Sequence, residues 1–462
     1  MIRLRIQNIV DSTGAELLRG DAARTAVGVS TDTRSLAKGA FFVALSGPNF
    51  DGNRFAAAAQ RAGAGGLLLR GPASELGSTL AELPAVLPVL AHADPRRALS
   101  DLASWHRSQL DVPVIGITGS CGKTTTKNIL FELLSTVRNT VSSPNSFNND
   151  IGVPHTLFLA DQDTEVLVVE MGTNHPGEIA ALCRTARPTA GIITNIGASH
   201  LEGLLSVEGV AREKGELSAS LPRDGFCVLN ADCPWTPTLR ASTAARVITF
   251  SVGGDGDLDA RDPWFHSGGT TFRLEGREVT FPLLGRHNVQ NLLAALAACR
   301  GLGIELDEVL PAVSRLSGGH RRMERHDVDG VTLFDDTYNA NPDSAKASVR
   351  VLAGLHGFER RILVLGDMLE LGEFAAELHH AVGVDAATNG IDELVLVGDL
   401  CRATAAGALE GGLAQEHIHH ATGVAEAASF VRDTWRAGDV VLVKGSRAVG
   451  LERLVSELLE GR

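Results

Sequence analysis

The stretch Val114-Ile115-Gly116-Ile117-Thr118-Gly119-Ser120-Cys121-Gly122-Lys123-Thr124-Thr125-Thr126 decides how the rest of this chain is interpreted. An apolar run that predicts a strand enters a glycine-rich turn. Lys123 and the threonines after it then open a helical pattern that continues through residues 127–134. The glycines would let backbone N–H groups face an anion at the positive end of that helix. Lys123 would face terminal phosphates, and the Thr124 hydroxyl would be a ligand for Mg²⁺. The stretch therefore predicts a phosphate-binding loop.

The spacing of this loop departs from the common Gly-x-x-x-x-Gly-Lys-Ser/Thr pattern. Counting back from Gly122, that pattern requires glycine where this chain has Ile117. An ordinary turn capped by a threonine is thus an alternative interpretation. Cys121 lies inside the loop, where its thiol is either a tolerated small side chain or a nucleophile made acidic by the helix N-terminus.

Composition limits the classes of protein to which this chain can belong. Its 462 residues suggest about three domains. With 44% hydrophobic residues it can bury large cores, and its net charge of -13 argues against a nucleic-acid-binding surface. We find no apolar run as long as a membrane span and no secretory signal, so we expect a cytoplasmic protein. The six cysteines lack metal or disulfide spacing, which favours reduced thiols.

Near residue 111 the pattern changes to apolar strands alternating with helices. The predicted strands span residues 112–118, 165–170, 190–196 and 226–230, which is typical of a parallel sheet covered on both faces. Ligands collect at the carboxyl ends of such strands. Glu170 there would either cap a helix or bind Mg²⁺. Taken singly, His200 is interpreted as an ordinary polar loop residue and Lys214 as part of a solvated helix face, because spacing alone does not assign either residue to a site.

The flanking regions predict two further α/β units. Residues 1–110 combine short strands with Ala-rich helices. The string 31–34, Thr-Asp-Thr-Arg, is either a solvated turn or a site at which Asp and Arg bind a sugar hydroxyl and a phosphate. After a β-rich stretch at 226–282, Asn288 and Asn291 share a helix face, either as caps or as adenine contacts. Residues 319–462 contain four apolar strands, each followed by a helix, which predict a second doubly wound sheet.

Several strings, taken together and in order, carry a family resemblance. They are the phosphate loop, the strand ending at Glu170, His200-Leu201-Glu202-Gly203, Lys214-Gly215-Glu216-Leu217, His287-Asn288-Val289-Gln290-Asn291 and residues 336–344. The chain resembles the Mur ligases, in which the loop has this glycine spacing. Three further strings, at 145–154, 335–342 and 366–372, resemble the branch that adds D-alanyl-D-alanine to UDP-N-acetylmuramoyl-tripeptide.

The resemblance implies a fold, a reaction and partners. The fold would be α/β with three domains: a UDP-muramoyl-binding unit at 1–110, a central ATP-binding unit with a doubly wound, mostly parallel sheet at 111–318, and a Rossmann-like unit at 319–462. The reaction would be ATP-driven amide bond formation through an acyl phosphate, in peptidoglycan precursor synthesis. ATP and two Mg²⁺ ions are the implied cofactors, with Lys214 carbamylated. We expect a monomer that binds small-molecule substrates, with no nucleic-acid partner and no membrane span.

The resemblance also implies roles for individual residues. The implied catalytic residues are Lys123, Glu170, His200 and Lys214. The implied nucleotide contacts are Gly119, Ser120, Cys121, Gly122, Lys123, Thr124, Thr125, Asn291, Arg322 and Asp336. The implied metal ligands are Thr124, Glu170, His200 and Lys214. The implied substrate contacts are Thr33, Arg34, Asn53, Asn148, Asn149, Asn339, Asn341, Lys444 and Arg447.

Three alternatives share parts of this pattern. A ligase that adds a diamino acid to the muramoyl-dipeptide would carry an Asp-Asn-Pro-Arg string, which is absent from this sequence. Folylpolyglutamate synthase shares the catalytic centre, but the Thr-Asp-Thr-Arg unit argues against it. A nucleotide-binding regulator without catalysis is a third possibility, and the full set of Lys123, Glu170, His200 and Lys214 argues against that.

Overall fold

A computed structural model of the chain describes residues 2–47, 50–266, 268–317 and 319–460. It divides into two compact units. The first comprises Met1–Gly116, Arg138–Gly172 and Glu178–Ala190, and the second comprises Ile117–Val137, Thr173–Gly177 and Gly191–Arg462. Gly318, the predicted last residue of the central domain, lies outside the described residues, and the three predicted domain bounds stay a prediction.

Strands and helices alternate along most of the described part of the chain. The strands are β1 Arg3–Arg5, β2 Glu16–Arg19, β3 Thr25–Val27, β4 Val29–Ser30, β5 Phe41–Val43, β6 Ser46–Gly47, β7 Phe50–Asp51, β8 Gly66–Arg70, β9 Val89–His92, β10 Val114–Thr118, β11 Thr140–Ser142, β12 Val166–Glu170, β13 Ala190–Ile193, β14 Phe226–Asn230, β15 Arg246–Val252, β16 Leu258–His266, β17 Gly269–Leu274, β18 Arg277–Phe281, β19 Glu324–Val328, β20 Val331–Asp336, β21 Arg361–Gly366, β22 Glu393–Val397, β23 Ile418–Ala421 and β24 Val440–Lys444. The α-helices are α1 Ile6–Thr13, α2 Ala56–Arg61, α3 Gly77–Ala81, α4 Pro95–Ser108, α5 Lys123–Leu134, α6 Gly152–Leu157, α7 Glu178–Ala186, α8 Leu201–Leu204, α9 Val207–Ala219, α10 Thr236–Ser242, α11 Arg286–Gly301, α12 Leu306–Val313, α13 Pro342–Gly354, α14 Ala375–Thr388, α15 Cys401–Glu410, α16 Val424–Thr434 and α17 Glu452–Glu460.

The first unit contains a five-stranded sheet in the order β2-β9-β8-β5-β4. Strands β4, β5, β8 and β9 run parallel, and β2 pairs antiparallel with β9. Leu67 and Leu69 on β8 pack with Ala56 and Ala59 of α2 in one core cluster. The predicted small N-terminal α/β unit is confirmed. Elsewhere in this unit, β11 pairs in parallel with β12.

In the second unit, β14, β15 and β16 run parallel, and β17 and β18 continue the same sheet antiparallel. The register shifts between Arg261 and Trp264, where an irregularity interrupts the pairing of β16 with β17. The predicted β-rich stretch at 226–282 is thus confirmed. It forms the strands β14 to β18, of which the first three run parallel and the last two antiparallel.

The second unit also holds a six-stranded sheet in the order β19-β20-β24-β21-β22-β23. All neighbours are parallel except β19 with β20. Because side chains alternate along a strand, Leu363 and Leu365 enter one core with α13 to α15, while Ile362 and Val364 enter another with α16 and α17. The sheet is therefore covered on both faces. The predicted fold class, α/β with doubly wound, mostly parallel sheets, is confirmed.

Strand β10 leads directly into the phosphate loop. All five of its residues are buried, and it begins at Val114 rather than at the predicted residue 112. Pro113 precedes it, and proline has no N–H to give to a sheet ladder, although its carbonyl accepts from Leu167 at 3.0 Å. The helix α5 starts at Lys123, the residue at which the helical pattern was predicted to open.

Candidate active site

The phosphate loop connects β10 to α5, and its two glycines are needed for backbone conformation and for close approach. Gly119 has a φ of 148° and Gly122 a φ of 81°, both in the region that favours glycine. A Cβ atom on Gly119 would collide with the side chain of Thr194, and one on Gly122 with Asn291. Side chains thus pack directly against the backbone of the loop, which fixes its curvature.

The start of α5 is suited to bind an anion. Its N-cap residue is Gly122, and because glycine has no side chain, the N-cap residue cannot cap the helix through a side-chain hydrogen bond. The alternative of a turn capped by a threonine is wrong, because the N-cap residue is Gly122, and Thr124 and Thr125 lie within the first turn of the helix. The first N–H groups of a helix have no partner within the helix, and they carry the positive end of its dipole.

Polar contacts hold the loop in place from the segment after β13. The Cys121 N–H donates to the side-chain oxygen of Asn195 at 2.8 Å, and the Ser120 hydroxyl donates to the Gly197 carbonyl at 3.0 Å. The Lys123 ammonium folds back onto the Gly119 carbonyl at 2.6 Å. The lysine ammonium has three N–H donors, so Lys123 can in principle keep this carbonyl while it contacts a phosphate oxygen.

Cys121 contacts the C-terminal part of the second unit. Its thiol lies 3.2 Å from the Asn341 side-chain oxygen, and the Asn341 amide lies 3.4 Å from the Ser120 carbonyl. Loss of solvation raises the pKa of the Cys121 thiol. A thiol with a raised pKa is a poor nucleophile, so the structure favours the interpretation of Cys121 as a small packing residue.

His200 lies next to the residues that hold the phosphate loop. It has a φ of 52°, rare for a residue with a side chain, and the preceding Ser199 donates to the Ser120 hydroxyl at 3.0 Å. Its Nδ1 lies 2.6 Å from Oε2 of Glu370. The hydrogen bond with His200 is the largest cause that lowers the pKa of the Glu370 carboxyl.

Lys214 is completely buried in α9, so its interpretation as a solvated helix face is wrong. Its Nζ has no hydrogen-bond partner among the described residues. Burial, with the nearby charge of Lys123 as a further cause, lowers the pKa of the Lys214 amine well below its usual range. A lowered pKa makes the uncharged, nucleophilic form of this amine more accessible.

The ends of β20 and β24 carry another group of predicted site residues. The Lys444 ammonium donates to Asp336 at 2.7 Å and to the Asn339 carbonyl at 3.1 Å. The guanidinium of Arg322 lies 4.1 Å from the ring centre of Tyr338, and that of Arg447 lies 5.6 Å from it. Two cations therefore gather around one ring, an attractive arrangement for both.

Asn288 and Asn291 share one face of α11, as predicted, but neither caps it, because the N-cap residue is Gly285. The Asn288 amide donates to the Leu284 carbonyl, and the Asn291 amide donates to the Asn288 oxygen at 3.2 Å. Asn291 also accepts from Thr126 at 3.2 Å. The cap interpretation is wrong, and Asn291 packs against the first turn of α5.

In the first unit, Glu170 ends the buried strand β12. Its Oε1 accepts from the Asn148 amide at 2.9 Å, and the Asn148 carbonyl accepts from the Gly172 N–H at 2.7 Å. Asn149 shapes the adjacent turn by accepting from the N–H of Gly152 at 2.9 Å. Asn148 and Glu170 are thus brought together, as two neighbouring polar groups at a strand end.

The predicted uridine-nucleotide residues are also in the first unit. Arg34 is exposed and paired with Asp32 at 2.6 Å, a contact that lowers the pKa of Asp32 to about 2. Thr33, which lies between these two residues in the sequence, is half-buried. Asn53 bridges to the backbone of Arg70 through both its oxygen and its amide. Arg34 keeps an exposed face, whereas both polar atoms of Asn53 are engaged.

Comparison with known proteins places the chain in a family. The description "Mur ligase middle domain" matches residues 117–299, and "Mur ligase, glutamate ligase domain" matches residues 321–447. The UDP-N-acetylmuramoyl-tripeptide--D-alanyl-D-alanine ligase of Bacillus subtilis is 35% identical over 464 residues, covering 100% of this chain and 99% of the relative. The chain belongs to the Mur ligase family. The predicted resemblance is confirmed.

Solved Mur ligases share the fold of this one over all or most of its length. A crystal structure of MurF from Acinetobacter baumannii has a TM-score of 0.89 and 30% identity, covering 100% of this chain and 99% of that one. MurF ligase from Thermotoga maritima, in complex with ADP, has a TM-score of 0.81 and 26% identity, covering 93% and 96%. No helix in the described part of this Mur ligase is long and apolar enough to cross a membrane.

Sequence reasoning missed several residues that shape the site of this Mur ligase. Tyr338 and Glu370 lie inside strings that carried the resemblance, yet no role was assigned to either. Asp343, which accepts from the Ala198 N–H at 3.2 Å, was missed too. The only feature of the sequence that could have pointed to these three residues is that they lie within the strings that carry the resemblance. Their contacts join residues that are far apart in the sequence, so no local pattern contains them. His155, to which the sequence assigned no role, lies 3.0 Å from the Thr31 hydroxyl.

Proposed function

We propose that this Mur ligase joins D-alanyl-D-alanine to the terminal carboxylate of UDP-N-acetylmuramoyl-tripeptide, with ATP as the energy source. The similarity to the Bacillus subtilis ligase over the full length of both chains is the observation that carries this proposal. The ADP complex of the Thermotoga maritima relative supports the use of an adenine nucleotide. The phosphate loop before α5, with its uncapped helix start, is the part of this chain suited to hold its phosphates.

The proposed reaction has two steps. A carboxylate oxygen of the tripeptide attacks the γ-phosphorus of ATP, which forms an acyl phosphate and releases ADP. The amine of D-alanyl-D-alanine then attacks the acyl carbon, loses a proton and releases phosphate. Lys123 would neutralise the β- and γ-phosphates, and the loop would orient them. Asn291, Arg322 and Asp336 would contact the nucleotide.

Mg²⁺, when bound, would neutralise phosphate oxygens during transfer. We propose Thr124, Glu170, His200 and Lys214 as the residues that hold two such ions. Hydroxyl and carboxylate oxygens suit this hard cation. Lys214 fits only after carbamylation, because an amine is not a ligand that Mg²⁺ prefers, whereas a carbamate resembles a carboxylate.

Two features of Lys214 favour carbamylation. Its amine is buried without a hydrogen-bond partner among the described residues, and its pKa is lowered, so the uncharged form that reacts with CO₂ is accessible. Lys444 is almost as buried, but its ammonium is paired with Asp336. An ammonium held in such a pair has no lone pair with which to attack CO₂. Lys214 is therefore the better candidate of the two.

We propose the remaining predicted residues as substrate contacts. Thr33, Arg34 and Asn53 would face the uridine nucleotide, for which the exposed guanidinium of Arg34 is suited. Asn148 and Asn149 would lie near the acyl phosphate. The remaining set would face the incoming peptide or the nucleotide: Asn339, Asn341, Lys444 and Arg447. We also propose three domains at 1–110, 111–318 and 319–462, a monomer, and a cytoplasmic location.

Phosphate release from ATP tests the proposed function. The assay contains UDP-N-acetylmuramoyl-tripeptide, with or without D-alanyl-D-alanine, and Lys123→Met as the inactive control. We expect release to depend on the dipeptide and to fall about 100-fold in the variant. Equal rates of phosphate release with and without D-alanyl-D-alanine would overturn the substrate assignment. Release with UDP-muramoyl-dipeptide and a diamino acid, or with a folate and glutamate, would favour the other ligases, and no release with any substrate would favour a regulator.

A further inference from the structure

Glu370 and His200 form a close side-chain contact that no predicted role explains. Oε2 of Glu370 lies 2.6 Å from Nδ1 of His200, with 53% of the glutamate side chain and 21% of the histidine side chain exposed. The two residues are 170 positions apart in the chain and both belong to the second unit. A charged side-chain contact this exposed contributes little to the free energy of unfolding. We therefore ask how the contact orients the imidazole of His200.

The contact fixes where the imidazole carries its proton. A glutamate carboxylate is ionised at neutral pH and can only accept hydrogen bonds. Nδ1 of His200 is therefore the nitrogen that bears hydrogen. In the neutral ring the lone pair then resides on Nε2, which makes no hydrogen bond to any described residue.

The Glu370 backbone is held on both sides, so the carboxylate has a defined position. The Met368 N–H donates to Nε2 of the buried His379 at 3.0 Å, and the Leu369 N–H donates to the Ser446 hydroxyl at 3.0 Å. The Glu370 carbonyl accepts from the N–H of Glu202 at 3.2 Å, within the helix that follows His200. Main-chain contacts thus dock this loop beside His200 independently of the carboxylate.

The His200 backbone is held as well. Its φ of 52° is uncommon for histidine, and the side chain does not cap α8, although His200 is the N-cap residue of that helix. The neighbouring Ser199 is tied to Ser120 of the phosphate loop. The imidazole is thus placed beside the loop and oriented by one side chain, that of Glu370.

We propose that Glu370 is a positioning residue that holds His200 with Nδ1 protonated and Nε2 available as the metal-binding atom. This role rests on the proposed function, in which His200 is a ligand of Mg²⁺. A carboxylate that accepts from the far nitrogen of a histidine ligand fixes its tautomer and orientation, and loss of such a partner typically weakens metal affinity about 10- to 100-fold.

The test compares four full-length proteins: wild type, Glu370→Gln, Glu370→Asp and the control Glu373→Gln. Glu373 is an exposed glutamate three positions away, so its variant makes the same charge change. Histidine-labelled protein gives the ¹⁵N signals of the His200 ring, assigned by their loss in His200→Ala. Electron paramagnetic resonance gives the affinity for Mn²⁺ with a non-hydrolysable ATP analogue. Neither measurement needs the peptide substrates.

Glutamine offers both an oxygen and an amide, so it can satisfy either tautomer of the ring. We expect Glu370→Gln to shift the His200 signals toward a mixture of tautomers and to weaken Mn²⁺ binding about 10-fold or more. Glu370→Asp keeps the charge but withdraws the oxygen, so it should weaken Mn²⁺ binding as well. The control should match the wild type.

Unchanged His200 signals in Glu370→Gln would overturn the proposal, and so would shifted signals with wild-type Mn²⁺ affinity. If Glu370→Asp bound Mn²⁺ as tightly as the wild type, the hydrogen bond to His200 could not be the cause of the wild-type affinity. If wild type failed to use D-alanyl-D-alanine while Glu370→Gln still altered both measurements, the proposed substrate would fall and the positioning role would stand.

Discussion

Lys444 and Asp336 face each other at the ends of two neighbouring parallel strands, with Nζ 2.7 Å from Oδ2. Both side chains are largely buried, at 4% and 13% exposure. Asp336 also accepts from the Ser348 hydroxyl of α13 at 2.8 Å, which links the pair to the helix after β20. The ammonium of Lys444 is thus committed to this contact, and its role toward a substrate stays a prediction.

Breaking the Lys444–Asp336 pair should destabilise the protein. Lys444→Met leaves the Asp336 carboxylate buried without its cation, at a cost of about 3 kcal/mol in the free energy of unfolding. The midpoint of urea unfolding, followed by fluorescence, measures the change, and Lys38→Met at an exposed lysine is the control. The double variant with Asp336→Asn should recover part of the loss. A midpoint equal to wild type in Lys444→Met would contradict the buried pair.

Asn341 should have two separable roles. Its side chain caps α13 by accepting from the Ser344 N–H at 2.9 Å, and it also contacts Cys121 and the Ser120 carbonyl. Asn341→Ala should lower stability by about 1 kcal/mol through loss of the cap. Asn341→Ser keeps a capping oxygen but does not reach the loop, so it should retain stability and alter nucleotide affinity. Thermal unfolding and calorimetric titration with an ATP analogue separate the two effects, and equal stability loss in both variants would refute the cap.

His287 should make stability depend on acid pH. Burial is the main cause that lowers its pKa to about 4, from about 6.5, with the charges of Asp336 and Lys444 acting in opposite directions. Below pH 6.5 the unfolded chain therefore binds a proton that the folded chain does not, so stability is full above 6.5 and is lost as the pH falls toward 4. Unfolding midpoints measured between pH 7 and 4 should fall less steeply in His287→Gln. The exposed His356→Gln is the control, and identical slopes would exclude His287 as the cause.

Lys214 should carry a carbamate in the active protein. In ¹³C-bicarbonate the wild type should show a carbamate carbon resonance that Lys214→Gln lacks, because the uncharged buried amine is the group that reacts with CO₂. Phosphate release should fall about 100-fold in the variant, since a proposed ligand of Mg²⁺ is lost. Lys38→Gln should keep both the resonance and the rate. A full rate in Lys214→Gln would refute the assignment.

Much of the fold could be predicted from local pattern. Apolar runs bounded by glycine or polar residues marked β12 and β14 to within one residue, because strands buried on both faces need such runs whatever surrounds them. The predicted ends of the strands were less accurate. Strand β13 ends at Ile193, whereas the predicted strand spans residues 190–196. The side chain of Thr194 turns toward the Cys121 carbonyl at 2.5 Å, a contact with a distant segment that no local pattern contains.

The sequence alone determined the family, because the strings that carry the resemblance lie in order along the chain. The proposed phosphate loop and site residues follow from that resemblance. Only the tertiary structure decided the state of individual side chains. It buried Lys214, which the sequence pattern alone would allow on a solvated helix face, and it paired His200 with Glu370 across 170 positions and Lys444 with Asp336 across 108. Charge state and hydrogen bonding depend on what packs around a group, and sheet order and register bring those neighbours from distant parts of the chain.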